Sequence, residues 1–247
     1  MNIKNKFKTD NGIVFKVRNI NFESLDDFRK NMGGFVSESR KDESSTFSLN
    51  EDGIYFYRSS YDKTKGLRVY KDSNLYQYTY HNDYKIVSEL QKRQKNIKLS
   101  KFPTGILTIE NKVVGQEVPL YDNSKTIFDY FKDGNMKKRP TQFYLDILNI
   151  LKELYNEGIT YQDVHKKNFL IESITEIVNI IDFESSLVDF DNLRCTYDSM
   201  ITNFKIYLIN KLNSILNICF DDDFKKAKTL EELEEVLLKE DYKLKIK

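Results

Sequence analysis

The sequence predicts a mixed α+β chain, with strands gathered toward its amino-terminal half and helices toward its carboxyl-terminal half. Three observations carry that expectation. Residues 67–71 alternate like a strand and residues 105–109 run apolar over a strand's length. Residues 141–157 repeat apolar side chains at helical spacing. Two short apolar runs, 169–171 and 178–181, then follow that helix after polar interruptions.

In chain order, the Lys-rich start from Asn2 to Lys8 reads as a solvated strand or tail, and Phe22, Leu25 and Phe28 fall at helical spacing, as in an added cap. Residues 37–48 are polar and read as a loop. Asn50-Glu-Asp-Gly53 is a turn before the strand 54–57, and the strand 67–71 ends in Lys71. Residues 83–96 read as a helix with Ile86, Val87 and Leu90 on one side. Residues 105–109 and 112–114 form a hairpin turning at Glu110-Asn111, and Gly115 to Pro119 follows.

The helix over 141–157 is the strongest single element, because Phe143, Tyr144, Ile147, Leu148, Leu151, Leu154 and Tyr155 mark one face, Pro140 stands near the start and Gly158 just beyond the end. A short extended piece, 159–161, leads into a polar loop, 162–167, and Asn168 opens the strand 169–171. Residues 172–176 have turn character before the second buried strand. Farther on, residues 201–220 are helical, and Thr229-Leu-Glu-Glu232 is a capping-box pattern opening a final helix with Leu230, Leu233, Val236 and Leu237.

The loop and the two strands carry the chemistry. Asp163-Val-His-Lys-Lys-Asn168 places a carboxylate and an amide in one short loop, and the second strand ends in Asp182. Phosphoryl transfer asks a protein for alignment and charge neutralisation more than for covalent work. A carboxylate such as Asp163 can accept a hydrogen bond from an acceptor hydroxyl, while Asn168 and Asp182 offer the hard oxygen ligands that suit magnesium.

Helix, D-x-x-x-x-N loop, hairpin and Asp182-Phe-Glu ending together resemble the catalytic core of the protein-kinase-like superfamily. Protein kinases spell these motifs H-R-D-L-x-x-x-N and D-F-G, whereas this chain has Tyr161-Gln-Asp163 and I-D-F-E. With His165 two residues after Asp163, its spelling is more similar to the aminoglycoside and choline kinase branch. The resemblance implies a two-lobed α+β fold: a small antiparallel-sheet lobe over residues 1–117, with an extension over about 1–34, and a helical lobe over 118–247 with the catalytic loop.

It implies roles as well: Asp163 as catalytic base, Asn168 and Asp182 as metal ligands, and ATP and Mg2+ as cofactors. Lys71, in a V-Y-K sequence similar to the family's V-A-I-K, would bind the nucleotide phosphates, and Glu89 would be its partner. Backbone groups of Glu117 and Val118 would meet the adenine. Gln162 replaces an arginine that pairs with an activation-loop phosphate, which argues against that control. Asp198 resembles an aspartate that supports the catalytic loop from a helix start, a structural role.

The expected activity is transfer of the γ-phosphate of ATP to a hydroxyl on a protein or small molecule. Between Asp182 and the next helix there is space for only a short segment and no A-P-E motif, which argues against a peptide-docking platform. No G-x-G occurs to cover the phosphates; Asn50–Gly53 is the nearest substitute and Gly33-Gly34 the next. That omission supports an alternative, a catalytically inactive kinase-like module that works by binding.

Composition fits without deciding. The 247 residues include 17 Phe and 16 Tyr, enough for a substantial core, and a net charge of +1 gives no overall pull toward nucleic acid or an anionic membrane. Cys195 and Cys219 read as reduced core residues, and with only His81 and His165 beside them no zinc spacing exists. No signal-peptide or bilayer-length apolar run stands out, so a cytoplasmic setting is expected, with export as an effector compatible.

Overall fold

The computed structural model describes residues 1–35, 53–71, 83–183, 186, 188, 193–216 and 218–246. They form a mixed α+β structure with a mostly antiparallel sheet and several helices. Two compact units divide the chain: residues 1–95 with 102–121, and residues 96–101 with 122–247.

The first unit is built on a seven-stranded sheet. Its strands are β1 (Asn2–Lys4), β4 (Asn19–Phe22), β5 (Met32–Phe35), β6 (Gly53–Ser59), β7 (Lys65–Lys71), β8 (Gly105–Ile109) and β9 (Lys112–Pro119). Their spatial order is β1-β4-β8-β9-β7-β6-β5, antiparallel except where β4 runs parallel to β8. Two further strands, β2 (Phe7–Lys8) and β3 (Val14–Phe15), pair separately. The extension therefore adds strands to the sheet beside β8, and Phe22, expected on a helix, lies in β4. There it packs edge-on against Phe28 of helix α1 (Leu25–Asn31) at 5.0 Å.

Both faces of this sheet are covered, which explains why β8 is apolar without alternation. Leu107 and Ile109 join Ile20, Phe22, Phe28, Leu67 and Val69 in one cluster. Ile106 faces the other way, into a cluster with Val17 and with Val87 of helix α2 (Asp83–Arg93). The β8–β9 hairpin turns through Glu110 and Asn111, both with positive φ, the conformation that matches the twist of a two-residue hairpin. Gly115 is required by close strand approach: a Cβ there would lie 2.1 Å from the Arg68 carbonyl oxygen.

The second unit contains helices α3 (Ile127–Asp133), α4 (Pro140–Asn156), α5 (Leu193–Asn203), a π-helical segment (Phe204–Asn210), α6 (Lys211–Leu216), α7 (Asp222–Lys226) and α8 (Leu230–Ile246). A small antiparallel sheet joins β10 (Ser124–Thr126), β11 (Phe169–Glu172) and β12 (Val178–Ile180). Helix α4 buries Phe143, Tyr144, Ile147, Leu148, Leu151 and Leu154, each contributing about 1.5–3 kcal/mol in apolar burial. Tyr155, expected on that face, is half-buried. The expected capping box holds α8, with the Glu232 backbone N–H donating to Thr229 Oγ1 at 3.1 Å and Glu232 Oε2 accepting from the Thr229 N–H at 3.3 Å.

Several expectations are corrected. The division expected at 117/118 falls inside β9, whose pairing with β7 continues to Pro119. The helix expected from residue 201 begins at Leu193 and passes through the π-helical segment. Asp198 is exposed within α5 and does not stand at a buried helix start. Cys219 is exposed, because it follows the end of α6 and has no apolar face to join. The loop 37–48, residues 50–52, Glu184 and the side chain of Cys195 lie outside the described residues. Among the described residues no helix is long and apolar enough to cross a membrane.

Candidate functional site

The loop after α4 owes its course to buried anchors at both ends. Gly158, at φ +73°, lets the chain leave the helix in a left-handed conformation, and the Ile159 N–H returns to the Leu154 carbonyl at 2.9 Å. Tyr161 is fully buried, with its ring 5.5 Å from that of Phe183, and its hydroxyl donates to the Ile181 carbonyl at 2.7 Å. Val164 is buried as well, so the loop is fixed on either side of Asp163. From α5, Asn203 Nδ2 donates to the Gln162 carbonyl at 2.6 Å.

That bond assigns to Asn203 the supporting role expected of Asp198. The sequence carried one signal for it: Asn203 interrupts an apolar helical stripe next to Met200 and Phe204, both buried. A polar side chain in such a place needs a partner, and the loop backbone supplies one.

Asn168 ties the loop to the strands. Its Nδ2 donates to Asp163 Oδ2 at 2.7 Å and to the Asp163 carbonyl at 3.1 Å, while its own carbonyl accepts from the Ile181 N–H at 3.0 Å. Antiparallel pairing sets Phe169 opposite Ile180, so the residue before β11 and the residues after β12 meet at one end of the hairpin. Asp182 follows there at φ +66°, a left-handed conformation uncommon outside glycine and a marker of functional positions. His165 completes the group, its Nε2 3.4 Å from Asp163 Oδ1. The Asp163 carboxylate beside it holds the imidazole pKa above its ordinary value, and the charge of Asp182 adds to that shift.

The second unit therefore brings Asp163, His165, Asn168 and Asp182 together. With Nδ2 committed to Asp163, the remaining polar atom of the Asn168 amide is Oδ1, a neutral oxygen ligand. Among the described residues no group of three or more His, Cys, Asp or Glu side chains could hold a metal ion unaided. An amide oxygen and one carboxylate instead fit magnesium that arrives with phosphate oxygens and keeps part of its water.

The first-unit candidates stand differently. Lys71 is the last residue of β7, and its side chain lies outside the described ones. Glu89 lies on α2, where its carboxylate accepts from Lys92 and, at 2.8 Å, from Arg93. Glu117 and Val118, expected in the stretch that follows the hairpin, lie within β9. Glu117 is paired on both flanks, opposite Leu67 and Gly105, and its carbonyl accepts the Thr104 N–H at 2.7 Å. Val118 stands opposite Gly66. The sheet thus takes the Glu117 backbone that was expected to meet an adenine.

The Glu117 side chain is structural as well. It is 1% exposed and accepts from Thr104 Oγ1 at 2.6 Å, the Tyr61 hydroxyl at 3.1 Å and Arg18 Nε at 3.1 Å. Burial and the adjacent carboxylate push the Tyr61 phenol well above its usual pKa, keeping it a donor.

Compared with known proteins, the chain matches no protein-family model, and no curated protein is similar enough to count as a match.

Proposed function

We propose that this protein is an ATP- and magnesium-dependent phosphotransferase of protein-kinase-like, two-lobed architecture. The observation that carries the reading is the convergence of Asp163, Asn168 and Asp182 at one end of the β11–β12 hairpin, with Asp182 in a left-handed backbone conformation. Lys71 at the end of one strand and Glu89 on the following helix support it by their order along the chain, the order in which kinases carry the phosphate-binding lysine and its acidic partner.

Asp163 accepts a hydrogen bond from the acceptor hydroxyl and takes its proton as the new O–P bond forms and the bond between the γ-phosphorus and the bridging oxygen breaks, ADP leaving. Its carboxylate is half-exposed, hence reachable, yet aimed by Asn168 and His165. Asn168 and Asp182 would hold magnesium, which neutralises phosphate charge when bound. His165 contacts Oδ1 of this carboxylate and Asn168 donates to its Oδ2, and each carboxylate oxygen keeps a further lone pair for the acceptor hydroxyl.

Purified protein incubated with γ-labelled ATP, magnesium and candidate hydroxyl acceptors tests this. Label should pass to an acceptor, and Asp163→Ala and Asp182→Ala should abolish the transfer; transfer untouched by both would overturn the assignment.

Two observations favour a second reading. Glu89 is engaged by Lys92 and Arg93, and the chain has no G-x-G loop, as in a kinase-like module that binds without transferring. Thermal stabilisation by Mg-ATP without turnover across a broad acceptor panel would favour it.

A further inference from the structure

Four lysines of the second unit lie in or near the catalytic loop without a carboxylate at ion-pair distance among the described residues. Lys166 lies within the loop, three residues after Asp163, with its Nζ 3.5 Å from the centre of the Phe128 ring. Lys132, one turn farther along α3, places its Nζ 4.3 Å from the same ring. Thr126 fixes the start of that helix by accepting from the Asp129 N–H at 3.1 Å. Lys167 is the next residue of the loop and Lys211 opens α6.

Five other lysines of this unit pair with carboxylates, Lys125 with Asp133, Lys138 with Asp146, Lys152 with Glu234, Lys225 with Asp222 and Lys239 with Asp223, while Lys137 and Lys205 donate to backbone carbonyls. Among the described residues no carboxylate lies within ion-pair distance of Lys132, Lys166, Lys167 or Lys211. Nor is Lys166 a freely solvated side chain. It is half-buried, with the charges of Lys132, Lys211 and Lys167, and the opposing carboxylate of Asp129, near enough to act on it. Gathering like charges disfavours the folded chain unless an anion offsets them.

Building on the phosphotransferase reading, we infer that the acceptor is a small phosphate ester, its phosphate held by Lys166 and Lys132 over Phe128 while its hydroxyl reaches Asp163. Two ammonium groups suit a phosphate dianion, which each meets as a point charge. Phe128 keeps both lysines in place through the face of its ring. The short segment between Asp182 and α5, with no peptide-docking motif, favours a small molecule over a protein.

Treating the full-length protein with pyridoxal 5′-phosphate, a phosphate-bearing aldehyde, then with borohydride, and locating the modified lysines by peptide mass analysis tests the inference. Lys166 should be labelled ahead of the other lysines. Glycerol 3-phosphate should remove that label, whereas glycerol and Mg-ATP should leave it. Lys132→Gln, at an exposed position that folding does not need, should weaken the protection by glycerol 3-phosphate. Even labelling across the lysines, or protection by Mg-ATP and not by glycerol 3-phosphate, would overturn the inference. Failure of Mg-ATP to bind in calorimetry would count against the phosphotransferase reading while leaving the labelling pattern intact, so the two failures read differently.

Discussion

Glu117 and Asp163 are both carboxylates held by several donors, and they differ in what they leave open. Glu117 is sealed in the sheet core, with three side-chain donors on its two oxygens. Asp163 keeps about two-fifths of its side chain exposed, at the end of a hairpin where a second carboxylate and an amide meet it. A saturated, buried carboxylate holds structure together. One that is aimed but accessible can exchange a proton.

The largest expected effect tests the open member of the pair. Replacing a general base lowers a rate by roughly 10²- to 10⁴-fold. Asp163→Ala should show a loss of that order in labelled-phosphate transfer, with its melting temperature little changed. An unaltered rate would place Asp163 with Glu117 as a structural group.

Glu117→Ala should do the reverse. Removing the carboxylate takes an acceptor from the half-buried Tyr61 and Thr104 hydroxyls, while Arg18, about one-third exposed, can turn to water. A destabilisation of roughly 2–3 kcal/mol follows, measurable by urea unfolding. Folded Glu117→Ala protein should bind Mg-ATP as the parent does, since the sheet and not a nucleotide uses this residue.

The two regions were also unequally legible in the sequence. Residues 141–182 alternate helix, loop, strand, turn and strand with clear punctuation, and local pattern sufficed because their contacts are close in sequence: Asn168 reaches back five residues to Asp163 and forward to Ile181. The place of Glu117 is not legible in the sequence because its partners are distant. Arg18 lies 99 residues away and Tyr61 56, and no periodicity reveals that the amino-terminal extension joins the sheet at β8. Gly115 reads in the sequence as the start of a segment after the hairpin, whereas it is a close approach of strands within the sheet. Asn203 and the Phe128 lysines escaped for the same reason, their meaning lying across tertiary contacts.

Glu89 lies between these extremes. Its bonds to Lys92 and Arg93 are one-turn pairs on a helix surface, each worth about 0.3–0.5 kcal/mol. Glu89→Ala should therefore lower stability by less than about 1 kcal/mol. If Lys71 binds phosphate with the carboxylate still engaged this way, Lys71→Ala should reduce transfer far more than Glu89→Ala. Equal losses in the two variants would show that Glu89 changes partners when nucleotide binds.

The smallest effect concerns how Asp163 is aimed. The folded-state pKa of His165 lies above the ordinary 6.5, chiefly through Asp163 and secondarily through the Asp182 charge. Protonated His165 is thus favoured by the folded state. Its contribution to stability is fully present below the unfolded value and declines as pH rises through the folded one, so the window opens near 6.5 and extends upward. The chain has only two histidines, so an NMR titration with His81→Ala isolates the resonance. Its midpoint should lie above 6.5 and fall in Asp163→Asn, where the carboxylate charge is gone and the shape is kept. A midpoint insensitive to that substitution would separate His165 from Asp163 and leave Asn168 alone to orient the carboxylate.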